Sequence, residues 1–348
     1  MRVIRRVTSH LASWLNRVWY QPRLHPSLVP LLPLSALVCT IARRRYRRFT
    51  QSLPPAPLPV IVVGNISVGG TGKTPLVRAL VERLQAQGYR PAIISRGYGS
   101  KSRSSPLQVT AHSTASECGD EPLLLARLTG VPVVVDQDRQ RALQMLYEQR
   151  QCDVVVSDDG LQHYRLPRTL ELAVVDGLRG LGNGYCLPAG PLRESAQRLH
   201  KVDYVVCNGA GNNSAHPGAA TGQEIDNIPM QIEPVRFVSV ADHATSRPLT
   251  WNWQQSVHAV AGIGHPERFF TTLEALGLSV IRHAFADHHA FVADDLSFSD
   301  RHAIIMTAKD ATKCSGFAGK NWWYLDVDAT LPETFWHDLF LRLEPVGR

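Results

Sequence analysis

No aspartate or glutamate occurs in the first fifty residues, whereas ten arginines do, between Arg2 and Arg48. The formal charge of +7 therefore belongs to this segment, and the remaining residues carry −3. That distribution argues against a nucleic-acid-binding core and for a basic membrane-facing segment. The six cysteines (39, 118, 152, 186, 207 and 314) form no C-x-x-C pair, and no histidines stand at zinc-ligand spacing. The thiols thus read as reduced and structural, in a cytosolic body. There is no internal repeat, and the Gly/Asn/Ser/Ala-rich run 208–222 reads as a surface loop. The rest, 44% apolar and 19% charged, is globular and long enough for one large domain or two modest ones.

Apolar residues at Val3, Val7, Leu11, Trp14, Leu15 and Val18 follow helical spacing, with Trp14 and Trp19 suited to a headgroup interface. The uncharged run Ser27–Ala42 comes next, closed by "RRRYRR". As a helix its length would be about 24 Å, short of the roughly 30 Å hydrocarbon core, and Pro30 and Pro33 shorten its regular part. Arginines follow it where a cleavage site would be needed, so a signal peptide is not expected. The expectation is an anchor lying in or dipping into the inner leaflet, against the alternative of a hairpin packed on the protein's own core.

"LPVIVVGNIS" (58–67) is a buried parallel-strand pattern, "SVGGTGKT" (67–74) a glycine-rich loop, and 74–88 a helix stopped by Gly88. Strand, loop and helix in that order are the context of a phosphate-binding loop. Ser67 stands where the common pattern has glycine; Val68, Gly69, Gly70, Thr71 and Gly72 complete the loop. Lys73 would reach the β- and γ-phosphates of ATP, and the Thr74 hydroxyl would ligate Mg²⁺. A second strand ends at Asp158 and Asp159, carboxylates placed for metal at the C-terminal edge of a parallel sheet.

Further clusters follow strand-like runs. Arg96 is a candidate for an anionic substrate, and Asp120 precedes an apolar helix that it could simply cap. Arg193 and Glu194 lie in a Gly/Pro-bounded loop. Near the C-terminus stand Asp287, His288 and His289, then Thr307, Lys309 and Asp310. Adjacent histidines on extended chain point opposite ways, so at most one of the pair enters a site.

Together "VGNISVGGTGKTP", "ISRGYG", "GDEP", "VVSDDGLQH", "GPLRE", "AGIGHPERFF", "FADHHAF" and "MTAKDATKC" resemble the tetraacyldisaccharide 4'-kinase family, which phosphorylates the lipid A precursor of Gram-negative bacteria. The likeness runs from the N-terminus to about residue 314, and Ser67 is part of that family's own loop. It implies an α/β fold: a P-loop NTPase-like, mostly parallel sheet flanked by helices, a smaller C-terminal α/β domain, and an N-terminal membrane-associated segment. The expected divisions are 1–50, 51–235 and 236–348. The resemblance assigns Asp120 and His288 to catalysis beside Lys73. It assigns Thr74, Asp158, Asp159 and Glu194 to metal, and Arg96, Arg139 and His163 to the lipid-headgroup cleft. It implies ATP and Mg²⁺, a lipid disaccharide and anionic inner-leaflet lipids as partners, and the cytoplasmic face of the inner membrane. Two other classes are a membrane-associated ATPase switch and a nucleotide-binding structural protein. The switch would want a lysine where Val68 stands.

Overall fold

The expected strand before the loop forms as β1 (Val60–Gly64), buried at every residue. Its side chains alternate between two apolar cores: Ile61 and Val63 in one, Val60 and Val62 in the other, as a pleated strand with both faces covered requires. The computed structural model describes residues 14–21, 23–50, 53, 55–97, 105–110, 112–209 and 226–343. Around β1 lie β2 (Pro91–Ser95), β3 (Leu107–Gln108), β4 (Val133–Val135), β5 (Val154–Ser157), β6 (Leu170–Asp176) and β7 (Tyr204–Asn208), in the order β7-β6-β1-β5-β2-β4-β3. All these pairings are parallel except that of the edge strand β3. Helices α1 (Leu32–Thr50), α2 (Lys73–Ala86), α3 (Asp120–Thr129) and α4 (Arg139–Glu148) flank the sheet. α2 and α3 supply Leu76, Leu80, Leu84, Leu123 and Leu125 to one core; α4 supplies Ala142, Leu143 and Leu146 to the other.

The long strand β8 (Asn227–Ser239) joins this sheet to a second one. Its first residues, 227–230, pair parallel to β7, and 231–239 pair antiparallel to β13 (Trp322–Thr330). Beyond are β9 (Ser246–Pro248), β10 (Val257–Ala261), β11 (Val280–Ala284) and β12 (Ile304–Thr307), with helices α5 (Pro266–Ala275) and α6 (Ala308–Cys314). The expected division at 235/236 thus falls inside one strand. The last helix, α7 (Glu333–Leu343), returns to the first core through Phe335, Trp336, Leu339 and Leu343.

The N-terminal segment departs from its sequence reading in three ways. Residues 1–13 lie outside the described residues, as do 210–225, which include all but the first two residues of the expected surface loop 208–222. α1 does not stop at the arginines but continues through them to Thr50; Pro30 is accommodated in the 3-10 turn Pro26–Leu31 that precedes it. α1 also rests on the protein along one side: Ser35 is buried with its hydroxyl donating to the Cys186 carbonyl at 2.7 Å, and Val38 and Cys39 pack on the core. The opposite side exposes Val29, Leu34, Leu37 and Ile41, followed by the exposed Arg43, Arg44, Arg45, Arg47 and Arg48. Trp19 turns inward, its indole N–H donating to the Pro188 carbonyl at 3.1 Å, so it is not a free interfacial ring.

The cysteine expectation needs a correction. Cys39 of α1 and Cys186 are joined by a disulfide, with Cα atoms 6.0 Å apart and a sequence separation of 147. The pairing arises because α1 packs on the loop before Pro188, a contact that no short Cys spacing can signal. Cys118, Cys152, Cys207 and Cys314 are buried and free.

Candidate active site

The two halves of the glycine-rich loop have different jobs. Residues 66–68 are stitched to the segment 191–193: Val68 N–H donates to the Pro191 carbonyl at 2.9 Å, Arg193 N–H to the Ile66 carbonyl at 2.7 Å, and Ser67 bridges Leu192. Ser67 is buried and the Val68 carbonyl accepts from the Tyr20 hydroxyl at 3.2 Å, so neither residue lines the cleft. Gly69 through Thr74 do, and α2 begins at Lys73 directly after Gly72. A helix N-terminus beneath a glycine-rich turn presents backbone N–H groups and partial positive charge to a phosphate. Ser67 is thus compatible with phosphate binding because its position serves loop anchoring.

Gly72 is required for geometry. Its φ is +95°, and a Cβ there would lie 2.5 Å from Asn208 Nδ2 and 2.9 Å from Ile232 Cδ1. Gly72→Ala is expected to destabilise the fold by about 1–3 kcal/mol and to weaken nucleotide binding. Gly70→Ala, whose Cβ would meet nothing within 4 Å, is the matched control for stability. Equal unfolding midpoints for the two variants would contradict this.

β5 delivers the acidic pair at the C-terminal edge of the sheet, and their environments differ. Asp158 is buried; one oxygen accepts from the Ser95 hydroxyl at 3.3 Å, while Oδ1 has no partner. Burial, with Glu121 and Asp159 nearby, pushes the Asp158 carboxyl up to about 7. Asp159 has φ +47°, an uncommon backbone for a non-glycine residue. Burial opposes its ionisation too, but Lys73, Arg193 and Arg139 outweigh it and bring Asp159 down to about 2. Its oxygens lie 3.4 Å from Lys73 Nζ and 3.2 Å from Arg193 Nη1. Asp158, with its orphaned oxygen, and Thr74 line the same cleft, and their oxygen donors suit a hard cation such as Mg²⁺.

Glu194 is not brought to the cleft. It accepts from Gln162 Nε2 at 2.8 Å and lies 3.6 Å from Arg198 Nε, in a buried network behind the loop. The chain direction at this loop turns Arg193 inward instead. Arg139 is buried and spends one guanidinium nitrogen on the carbonyls of Asp158 (2.7 Å) and Asp159 (2.9 Å), so it holds the acidic turn from below. Burial brings Arg139 down to about 10. His163 lines the cleft, where burial and then Arg139 push it down to about 4. Arg96 is exposed on the cleft wall.

Asp120 is the first residue of α3, whose N-cap is Gly119 with no side-chain capping bond. The capping explanation therefore does not describe this helix. Instead the carboxylate lies 3.5 Å from His288 Nδ1 and 3.6 Å from Lys313 Nζ. Burial would raise Asp120, but the hydrogen bond with His288, then Lys313 and Lys309, leave it below its ordinary value. His288 carries φ +57° and also approaches Lys309 Nζ at 3.4 Å. His289 faces the other way, against Asp295 (2.9 Å), Phe285 and Phe291. Held strain at Asp159 and His288 marks residues fixed by their surroundings.

Glu121, Asn208 and Arg268 of the cleft escaped the sequence reading. Lys309 donates to Glu121 at 3.1 Å and lies 3.7 Å from Asp287. Asn208, buried at the end of β7, donates to the Thr71 carbonyl (3.0 Å) and accepts from Arg268 of α5 (3.0 Å), tying the loop to the second sheet. The whole lines a cavity of about 910 Å³, to which Arg45 of α1 also contributes.

Comparison with known proteins gives this geometry its context. The family model described as tetraacyldisaccharide-1-P 4'-kinase matches residues 25–344. The chain belongs to that family. The tetraacyldisaccharide 4'-kinase of Alcanivorax borkumensis is 51% identical over 324 residues, covering 93% of this chain and 95% of that protein. The same enzyme of Pseudomonas aeruginosa is 48% identical over 336 residues, covering 95% and 97%. Among solved structures, LpxK from Aquifex aeolicus in complex with ATP matches with a TM-score of 0.74 at 28% identity, over 91% of this chain and 99% of that one. The chain is therefore an enzyme of the kinase class, with the P-loop-type α/β fold that its sequence indicated.

Proposed function

We propose that this kinase moves the γ-phosphate of ATP to the 4'-hydroxyl of a tetraacyl disaccharide 1-phosphate, forming lipid IVA in lipid A biosynthesis. The observation that carries this reading is the meeting of Asp120 and His288 at 3.5 Å. Asp120 begins helix α3 beside the phosphate-loop sheet, and His288 lies in the turn after β11 of the second sheet, across a cleft whose floor is the loop. A switch ATPase has no need of a base for an alcohol on the acceptor side. In this reading Gly69–Thr74 cradle the ATP phosphates, and Lys73 follows the transferring group, held in place by Asp159. Thr74 and Asp158 would hold Mg²⁺, whose charge would neutralise that developing on the phosphate oxygens. The Asp120–His288 pair takes the proton of the sugar hydroxyl. Arg96, with Arg45 at the mouth, faces the anionic headgroup. Phosphorus NMR of the product tests the regiochemistry: a new phosphomonoester at the 4' position is expected, and free phosphate alone contradicts it.

We further propose that α1 lies in the cytoplasmic leaflet of the inner membrane with its core-facing side on the protein. Leu34, Leu37 and Ile41, spaced three and four residues apart, form the outward apolar side, and the arginines after them reach anionic headgroups. Burying three such side chains contributes about 4–5 kcal/mol, roughly a thousandfold in partitioning. Replacing all three by Glu should release the protein from anionic vesicles while turnover on detergent-dispersed substrate persists. Unchanged co-sedimentation with vesicles would contradict the assignment.

A further inference from the structure

The second sheet carries a histidine cluster that the kinase reaction does not use. His258 is buried near the start of β10, whereas Gly264, packed on the phosphate loop, lies beyond the other end of that strand. His258 Nε2 lies 2.8 Å from Asp300 Oδ1, and His302 Nδ1 lies 3.5 Å from Asp300 Oδ2. One donor atom from each of His258, Asp300 and His302 falls within 4.8 Å of the others. His302 Nδ1 is buried and makes no hydrogen bond. A zinc-like ion with ligands at about 2.0–2.1 Å sets neighbouring tetrahedral ligands about 3.3 Å apart. The two observed separations lie on either side of that value.

The surroundings are those of a ligand set held in advance. The other nitrogen of His258, Nδ1, pairs with His283 Nε2 at 2.9 Å, the outer contact that fixes the tautomer and orientation of a metal-bound imidazole. Phe298 stacks on His258 and on His283, with ring centroids 3.8 and 4.4 Å away. Asp300 is exposed, which leaves water access for a fourth position. Two imidazoles and a carboxylate select a borderline ion such as Zn²⁺ over Mg²⁺ or Ca²⁺.

We propose that His258, Asp300 and His302 form a binding site for a zinc-type divalent cation, oriented by His283 and independent of the kinase centre. Bound metal would join the segment preceding β12 to β10, stapling the outer part of the second sheet. Cobalt is the probe, because its visible absorption reports nitrogen and oxygen ligation. Chelator-treated full-length protein is titrated with Co²⁺ in excess Mg²⁺, which occupies hard-oxygen sites. The expected result is one Co²⁺ per chain with a visible band, displaced by one equivalent of Zn²⁺. His302→Ala, on the exposed side of the cluster, should abolish the band, and His283→Gln should weaken binding about 10–100-fold. Kinase turnover of both variants reports that they are folded. Absence of the band in the native chain, or its persistence unchanged in active His302→Ala, overturns the proposal.

Discussion

Asp120→Ala and His288→Ala are each expected to lower kcat by about 10²–10⁴-fold, the usual contribution of a positioned general base. KM for ATP should change little in either, because neither residue belongs to the loop 69–74 that lines the nucleotide end of the cleft. The double variant should be scarcely slower than the single ones, since residues that act as one unit are non-additive. The physical basis is the 3.5 Å approach of His288 Nδ1 to Asp120 Oδ2. Removing the ring strips the carboxylate of its orienting partner, and removing the carboxylate takes from the ring the acidic partner that aims it, with Lys309 and Asp287 still beside it. His289→Ala serves as control: its ring is packed on Phe285 and Phe291 with Asp295, so its loss should affect stability more than turnover. Single losses that multiply in the double variant, or a silent His288→Ala, would separate the two residues.

Lys73→Ala is expected to reduce turnover by at least about 100-fold, the scale on which enzymes lose a preorganised electrostatic stabiliser. Lys73 is held 3.4 Å from Asp159, whose carboxylate also faces Arg193, so the ammonium is positioned before nucleotide arrives. Substitution leaves Asp159 paired with Arg193, and the fold should therefore survive. Thermal unfolding near the native midpoint, together with lost turnover, is the expected pattern. Full activity in folded Lys73→Ala would remove the phosphate-loop assignment.

The local elements were legible because they follow short-range rules. The apolar run before the loop is short, β-branched and bounded by Pro59 and Gly64, which favours a doubly buried strand, and Leu76, Leu80 and Leu84 repeat at the helical period. The acidic pair announced itself by following such a strand. Other features depend on tertiary approach. Arg193 and Glu194 are neighbours whose inward and outward directions are set by the 191–193 contact with the phosphate loop. Asn208 sits in a Gly/Asn-rich run that reads as loop, yet its buried amide joins both halves of the site. The Cys39–Cys186 bond joins residues far apart in sequence, and the folded sheet brings His258 to the distant pair Asp300 and His302. Glu121 adjoins a residue that was singled out, but only the approach of Lys309 reveals its place in the site. The φ of +57° at His288 is a property of the folded chain, as is the placing of His288 against Asp120 and of His289 against Asp295.

In the proposed function the cleft couples ATP to a lipid alcohol. ATP consumption by the full-length protein, measured with and without a tetraacyl disaccharide 1-phosphate dispersed in detergent, tests it most directly. Turnover that depends on the acceptor, with one phosphate appearing in the lipid for each ADP formed, is the predicted result. Hydrolysis at the same rate without the acceptor, and no phosphate in the lipid, would contradict it.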